Sequence, residues 1–452
     1  DKNTKLLSIA KINLARRKGN VDSAIKKIPK ELLKEEGLVY ERIKWRRRAK
    51  LEKTSLELLL DYDKEITQSK KWWKEVNYHT RKQISYKNYK NAINILNNFN
   101  KSAGDFNYKS SWLIGWLSLT FEKDPKTAYE SFTTMFDNVK TPISKARSSF
   151  WSAKSAEISG DNIAANMWYE RAAAFPSTFY GQLAIKKTKK NFFIPDITQN
   201  LSKDDLNKFM DNPLIKALII LDQSGHKKLF KVFTRKVIND LETTKNTIMF
   251  IKFLNNLNKT SMAIYAGRKA VYKDIYLPNL NFPLPNKKLL DVYKENSYIP
   301  INVALAISRQ ESAFDQYAVS RAGARGLMQL MPRTARITAK KINHKYIRKN
   351  LTINPAYNVK LGSYYFKQML EKFNGSYVLA LASYNAGPNR VKRWLRVYGD
   401  PRKGNIDQVT WIELIPITET RNYVQRVLEG IYMYGAILSE EKNVTKKQVK
   451  FF

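Results

Sequence analysis

A mostly α-helical protein is what this sequence predicts, and three observations carry the prediction. Across residues 1–200 prolines are few, and no run alternates apolar with polar residues as a half-buried strand would. Further on, apolar residues recur at three- and four-residue steps, as in Ile248–Leu257. A faint period of 36 also runs through the first half. Ala92, Ala128 and Ala164 fall at equal steps, and four residues after each come Leu96, Phe132 and Trp168.

The elements follow in order. Small-then-large residues at a fixed offset are how paired helices stack in a solenoid, so residues 1–200 read as a superhelical domain, with an ordinary helical bundle as the rival. Pro125 opens one helix, and Gly160-Asp161 turns between two others. Trp72, Trp73, Trp112, Trp116, Trp151 and Trp168 crowd this half at helical spacing, which favours core over exposed sugar platforms. A break is expected at Asn191–Asn200, around Pro195. Residues 201–285 read as a helical linker domain that ends in Pro278, Pro283 and Pro285. Residues 286–452 form the last domain. Three domains also suit a length of 452 residues.

Composition bounds the function. No apolar run reaches the roughly 18 residues of a membrane span. Zero cysteines exclude disulfides, thiol catalysis and cysteine metal sites. His79, His226 and His344 lack ligand spacing, so neither metal nor other cofactor is expected. The chain carries 80 Lys+Arg against 40 Asp+Glu, a net charge of +40. Such a field draws polyanions. Nucleic acid, a compositional lysine bias and an acidic cell-wall polymer all fit it; no nucleic-acid partner is expected. The densest cluster, Lys44-Trp45-Arg46-Arg47-Arg48, reads as a solvated helical face with one core Trp. The chain begins at Asp1, so a leader already removed is the expectation.

The chemistry centres on Glu311. Val303, Ile307 and Glu311 are spaced i, i+4, i+8 and share one helical face, with Pro300 in the first turn. A carboxyl on an apolar face loses hydration, and its pKa rises. That makes a proton donor at neutral pH, the first need of glycosidic cleavage. The plain alternative is a Glu that turns to solvent or pairs with Arg309 or Arg325. Asp315, one turn on, reads as a solvated residue, because an i, i+4 pair on one helix does not flank a sugar from opposite sides.

Four blocks decide between these readings. Glu311-Ser312 leads to Ser320 and then to Gly323-Ala324-Arg325-Gly326-Leu327-Met328-Gln329. Ala382-Ser383-Tyr384-Asn385-Ala386-Gly387-Pro388 and Ile415-Pro416-Ile417-Thr418-Glu419-Thr420-Arg421-Asn422-Tyr423-Val424 follow. Together they resemble the catalytic domain of the soluble lytic transglycosylases, whose fold is lysozyme-like. The match in residues 1–285 is looser and rests on organisation plus Phe179-Tyr180-Gly181-Gln182 and Phe282-Pro283-Leu284.

The resemblance implies an N-terminal U-shaped α-superhelix, a helical linker and a C-terminal lysozyme-like domain. It implies cleavage of the MurNAc-β-1,4-GlcNAc bond of peptidoglycan without water, in the bacterial periplasm, with glycan strands as the partner. Glu311 would be acid, then base. Ser320, Gln329, Met331, Tyr384, Asn385, Glu419 and Tyr423 would bind substrate, with the Tyr384 hydroxyl pointing at the acid. Packing rivals that role for Met331, and an ion pair with Arg421 or Arg426 rivals it for Glu419. Arg321 departs from the usual Pro, and Asp315 from the usual Asn. Gly323 and Gly326 would permit a tight loop. A hydrolytic muramidase and a helical scaffold that only binds glycan are the competing functions. On this reading residues 286–452 are expected to fold alone.

Overall fold

In the computed structural model of the chain, residues 2–103, 107–192 and 201–440 are described. Most of the expected break at Asn191–Asn200 lies outside them. The protein is mostly α; among the described residues the β structure amounts to two isolated antiparallel bridges, Val319 with Arg325 and Arg325 with Leu330. The chain divides into two compact units. One is Asp1–Val139 with Trp151–Ala165, and the other is Lys140–Phe150 with the chain from Asn166 onward.

The first unit is a succession of helical hairpins. Glu36–Arg48 pairs with Glu52–Leu60, Ser69–Ser85 with Tyr89–Ala103, and Tyr108–Leu117 with Pro125–Asn138. Local chemistry sets the ends. The Asn107 side chain accepts from the Lys109 and Ser110 amides, and Asp124 accepts from Thr127 with Pro125 at the first helical position. Gly115 leaves room for the Phe132 ring, which would stand 2.8 Å from a Cβ there. Ala92, Leu96, Ala128 and Phe132 are all buried, which makes the 36-residue spacing a packing repeat across two hairpins. At the third step the small buried residue is Ala165 rather than Ala164, so the period slips by one.

Trp72, Trp112, Trp116, Trp151 and Trp168 are core residues, and Trp73 is half-buried against Phe99. Each large apolar side chain so buried contributes roughly 2–3 kcal/mol. The Lys44–Arg48 cluster is largely spent within the fold. Lys44 pairs with Glu41, Arg46 donates to the Thr54 carbonyl, and Arg47 grips the buried Glu75. His79 is buried with its ring 3.0 Å from the Ser55 hydroxyl, and burial pushes its pKa down to about 4.

In the second unit, helices between Lys203 and Ala270 close over a core of Ile215, Leu218, Phe250, Leu254 and Leu277. Asn281, Phe282 and Pro283 then run beneath the helix Ile301–Glu311. The Arg309 guanidinium stacks 3.8 Å from the Phe282 ring and donates to the Asn281 carbonyl, and the Tyr434 hydroxyl donates to that of Pro283. The Ile301–Glu311 helix packs along Thr418–Glu440, where Gly430 lets Ala306 approach closely. Val303, Leu305 and Ile307 of the one helix and Val424, Val427 and Ile431 of the other are fully buried.

Candidate active site

Glu311 is the last residue of its helix. Val303 and Ile307 on the same face are fully buried, so the sequence pattern carries the side chain inward. Pro300 is the cap residue just outside the helix rather than a member of its first turn. Burial pushes the Glu311 carboxyl up to about 7; the nearby Glu419 charge adds to the rise, and the Tyr423 hydroxyl opposes it. The helix C-terminus, where partial negative charge gathers, works in the same direction as burial. Arg309 is committed to Asn281, and neither Arg309 nor Arg325 pairs with Glu311.

The helix ends here because Ser312 turns away. Its hydroxyl donates to the Leu327 carbonyl at 2.8 Å, and Ala313 and Phe314 adopt left-handed φ of 51° and 64°. Asp315 therefore does not continue the Glu311 face, as the helical spacing had suggested. Its carboxylate caps the turn, accepting from the Tyr317 amide at 3.0 Å.

The loop from 315 to 331 folds on itself. Ser320 is exposed, and its hydroxyl accepts from the Ala324 amide at 3.0 Å. Gly326, at φ 78°, needs to be glycine: a Cβ would stand 2.0 Å from the Leu351 carbonyl. The Gln329 amide nitrogen donates to the Ala318 and Gly326 carbonyls, so its oxygen is the atom left for a ligand. Met331 is 43% exposed, which removes core packing as its role.

The other two blocks meet the acid from the far side of the sequence. The Tyr423 hydroxyl is buried beside Glu311, close enough to feel its charge, yet makes no hydrogen bond of normal geometry. Burial first, then the Glu311 charge, raises its pKa well above the ordinary value. Tyr384 is raised by the same two causes, but its hydroxyl donates to the Met328 carbonyl at 2.8 Å rather than to the acid. The Asn385 oxygen accepts from the Thr420 hydroxyl at 2.6 Å. Glu419 is exposed in the first turn of Thr418–Glu440. Arg421 faces Glu413 and Arg426 pairs with Glu429, so among the described residues Glu419 has no ion pair.

The supporting residues were not visible in the motifs. Buried Asn358 ties the loop down: it accepts from the Met328 amide and donates to the Arg325 and Leu351 carbonyls. A polar residue on the inner face of Pro355–Lys372, four before the close-packed Gly362, was the available signal. Fully buried Glu413 is held by Arg147, Tyr180 and Gln425. Buried Glu429 accepts from the Phe179 amide at 3.1 Å, and burial pushes it up to about 7. Among the described residues no acidic or histidine cluster offers metal ligands, and no helix is long and apolar enough to cross a membrane.

A lone raised carboxyl at a helix end, a folded loop after it and two buried tyrosines beside it define a class. Residues 288–406 match the family model of the transglycosylase SLT domain. The chain is similar to the soluble lytic murein transglycosylase of Escherichia coli (strain K12), 38% identical over 156 residues, 34% of this chain and 24% of that protein. It is also similar to the putative soluble lytic murein transglycosylase of Haemophilus influenzae, 31% identical over 221 residues, 49% of this chain and 36% of that one. The matched stretches thus span about a quarter to a third of these relatives' length. The fold is shared with an inactive mutant of the lytic transglycosylase Slt from Pseudomonas aeruginosa, at a TM-score of 0.65 and 22% identity over 97% of this chain and 73% of that one. It is shared too with the 70 kDa soluble lytic transglycosylase of Escherichia coli, at 0.58 and 17% over 97% and 73%.

Proposed function

We propose that the chain is a peptidoglycan lytic transglycosylase acting in the periplasm, with residues 286–452 as its catalytic part. The observation that carries the reading is Glu311: a half-buried carboxyl whose pKa burial raises to about 7, with Asp315 turned away onto the Tyr317 amide. Protonated Glu311 donates to the glycosidic oxygen as the bond to GlcNAc breaks. The muramyl 2-acetamido oxygen supports the cationic carbon. The 6-hydroxyl of the same sugar then attacks that carbon, and its proton passes to the Glu311 carboxylate. Bonds and protons balance without water, and a 1,6-anhydromuramyl end remains. The Tyr423 hydroxyl, buried beside Glu311, can donate to its carboxylate or accept from its protonated form. The Gln329 oxygen, Asn385, Ser320 and Met331 are proposed to hold the glycan.

Mass spectrometry of digested sacculi tests this. Anhydromuramyl ends are expected from the native chain, and Glu311→Gln should keep under a few per cent of its turnover. Hydrated reducing ends would instead favour the muramidase reading, for which the charge that Glu419 exerts on Glu311 is the supporting observation.

A further inference from the structure

Beside Ser320, the loop leaving the Glu311 helix carries surface to which the proposed reaction gives no role. Tyr317 is 62% exposed and Val319 52%. Arg321 is exposed as well. The Tyr317 ring is not isolated: the Lys227 ammonium, from the start of the helix Lys227–Asp240, lies 5.8 Å from its centroid. Lys228 is exposed beside it. Arg321 follows Tyr317 in the same folded loop, which is closed by the Gly326 amide on the Ala318 carbonyl at 2.9 Å. One cation from a separate helix thus lies over the exposed ring, and a second, Arg321, is exposed four residues further along the ring's own loop.

These cations have no partner of their own. Further along the same helix Lys236 is paired with Asp240. Among the described residues, Lys227, Lys228 and Arg321 form no ion pair, and the neighbouring Asp315 carboxylate is turned onto the Tyr317 amide. The two strands of observation agree on an anion with a flat or apolar body, since a ring and a cation together bind both. Tyr317 lies six residues beyond Glu311, so the two are at most roughly 20 Å apart. A peptide of five residues extends roughly 17 Å, enough to run from a sugar at Glu311 to this rim.

Building on the proposed reaction, we propose that Lys227, Tyr317 and Arg321 form a subsite that reads a free carboxylate on the peptide attached to the glycan, so that amidated peptides are poorer substrates. Arg321 supplies one of the two charges at a position where the family resemblance implies proline.

The test compares two soluble glycan tetramers that differ only in whether the peptide carboxyls are free or carboxamides. Exposed pairs contribute up to about fivefold each, so the full chain should prefer the free form roughly tenfold in kcat/KM. The preference should shrink as salt rises. The double variant Lys227→Gln with Arg321→Gln should bring the ratio near one. The carboxamide substrate serves as the control: a misfolded variant loses both rates and leaves the ratio unmeasured, so binding of a disaccharide peptide and its carboxamide to Glu311→Gln is titrated as a second arm. Tighter binding of the free form there, lost on adding the two Gln substitutions, supports the subsite whatever the turnover. No preference in either arm, or a preference untouched by the substitutions, overturns it. Anhydromuramyl products with a flat ratio would sink the subsite alone, whereas hydrated products would sink the proposed reaction and leave the binding arm standing.

Discussion

In the proposed reaction Glu311 gives a proton early and takes one back late, which calls for a pKa near the working pH. A carboxyl at about 7 meets that need. The rate should therefore decline on the alkaline side with an apparent pKa near 7, measured as kcat/KM on a soluble glycan. A profile flat to pH 9 would contradict it. The same value has a stability consequence. The unfolded carboxyl titrates near 4.5, so between there and about 7 the native state holds more protons. Stability then falls as pH rises through that window. Glu311→Gln removes the penalty. It should stabilise the chain by about 1–3 kcal/mol at pH 8 and by almost nothing at pH 4, read from urea melts. Glu429 shares the window, so only the difference between native and variant isolates Glu311.

At the scale of elements, the loop after Glu311 depends on one side chain from Pro355–Lys372. Asn358→Leu would strand the Met328 amide and the Leu351 carbonyl and take one of two donors from the Arg325 carbonyl, which keeps the Leu330 amide. A cost of about 2–4 kcal/mol is expected, with at least a tenfold loss of cleavage. A variant that melts like the native chain would show that the loop holds without it. The isolated C-terminal piece meets a related difficulty. In a 286–452 fragment, fully buried Glu413 loses Arg147 and Tyr180, and Glu429 loses the Phe179 amide. Arg421 and Gln425 still face Glu413 and Arg426 still pairs with Glu429, so each carboxylate loses part of its partners, at a cost of roughly 1–3 kcal/mol each. The fragment should fold poorly, contrary to the expectation from the motifs, whereas one beginning at 140 keeps these partners. Near-UV circular dichroism of both decides it; a sharp, native-like signal from the short one would refute the point.

For the molecule as a whole, the net charge of +40 is the property that acts at range. If the proposed substrate is right, an acidic insoluble wall should be approached faster at low ionic strength, where charges are felt beyond about 10 Å. Cleavage of sacculi should fall steeply between about 20 and 300 mM salt, while a short glycan with amidated peptides should be much less affected. Equal salt dependence for both would make the charge a matter of composition alone.

Helical class, the packed tryptophans and the inward face of Val303, Ile307 and Glu311 could be read from the chain alone, because helical periodicity is a local property. Glu311 itself stood out for the same reason. The point where its helix stops could not be read, since Ser312 turns off to meet Leu327, 15 residues later. Nor could the settings of Asn358, Arg309 and Glu413, whose partners lie 30, 28 and up to 266 residues away. A sequence shows which residues are polar. Whether a polar group is spent on the fold, as Gln329's nitrogen and Tyr384's hydroxyl are, or left for a ligand is decided by which distant carbonyl comes within reach.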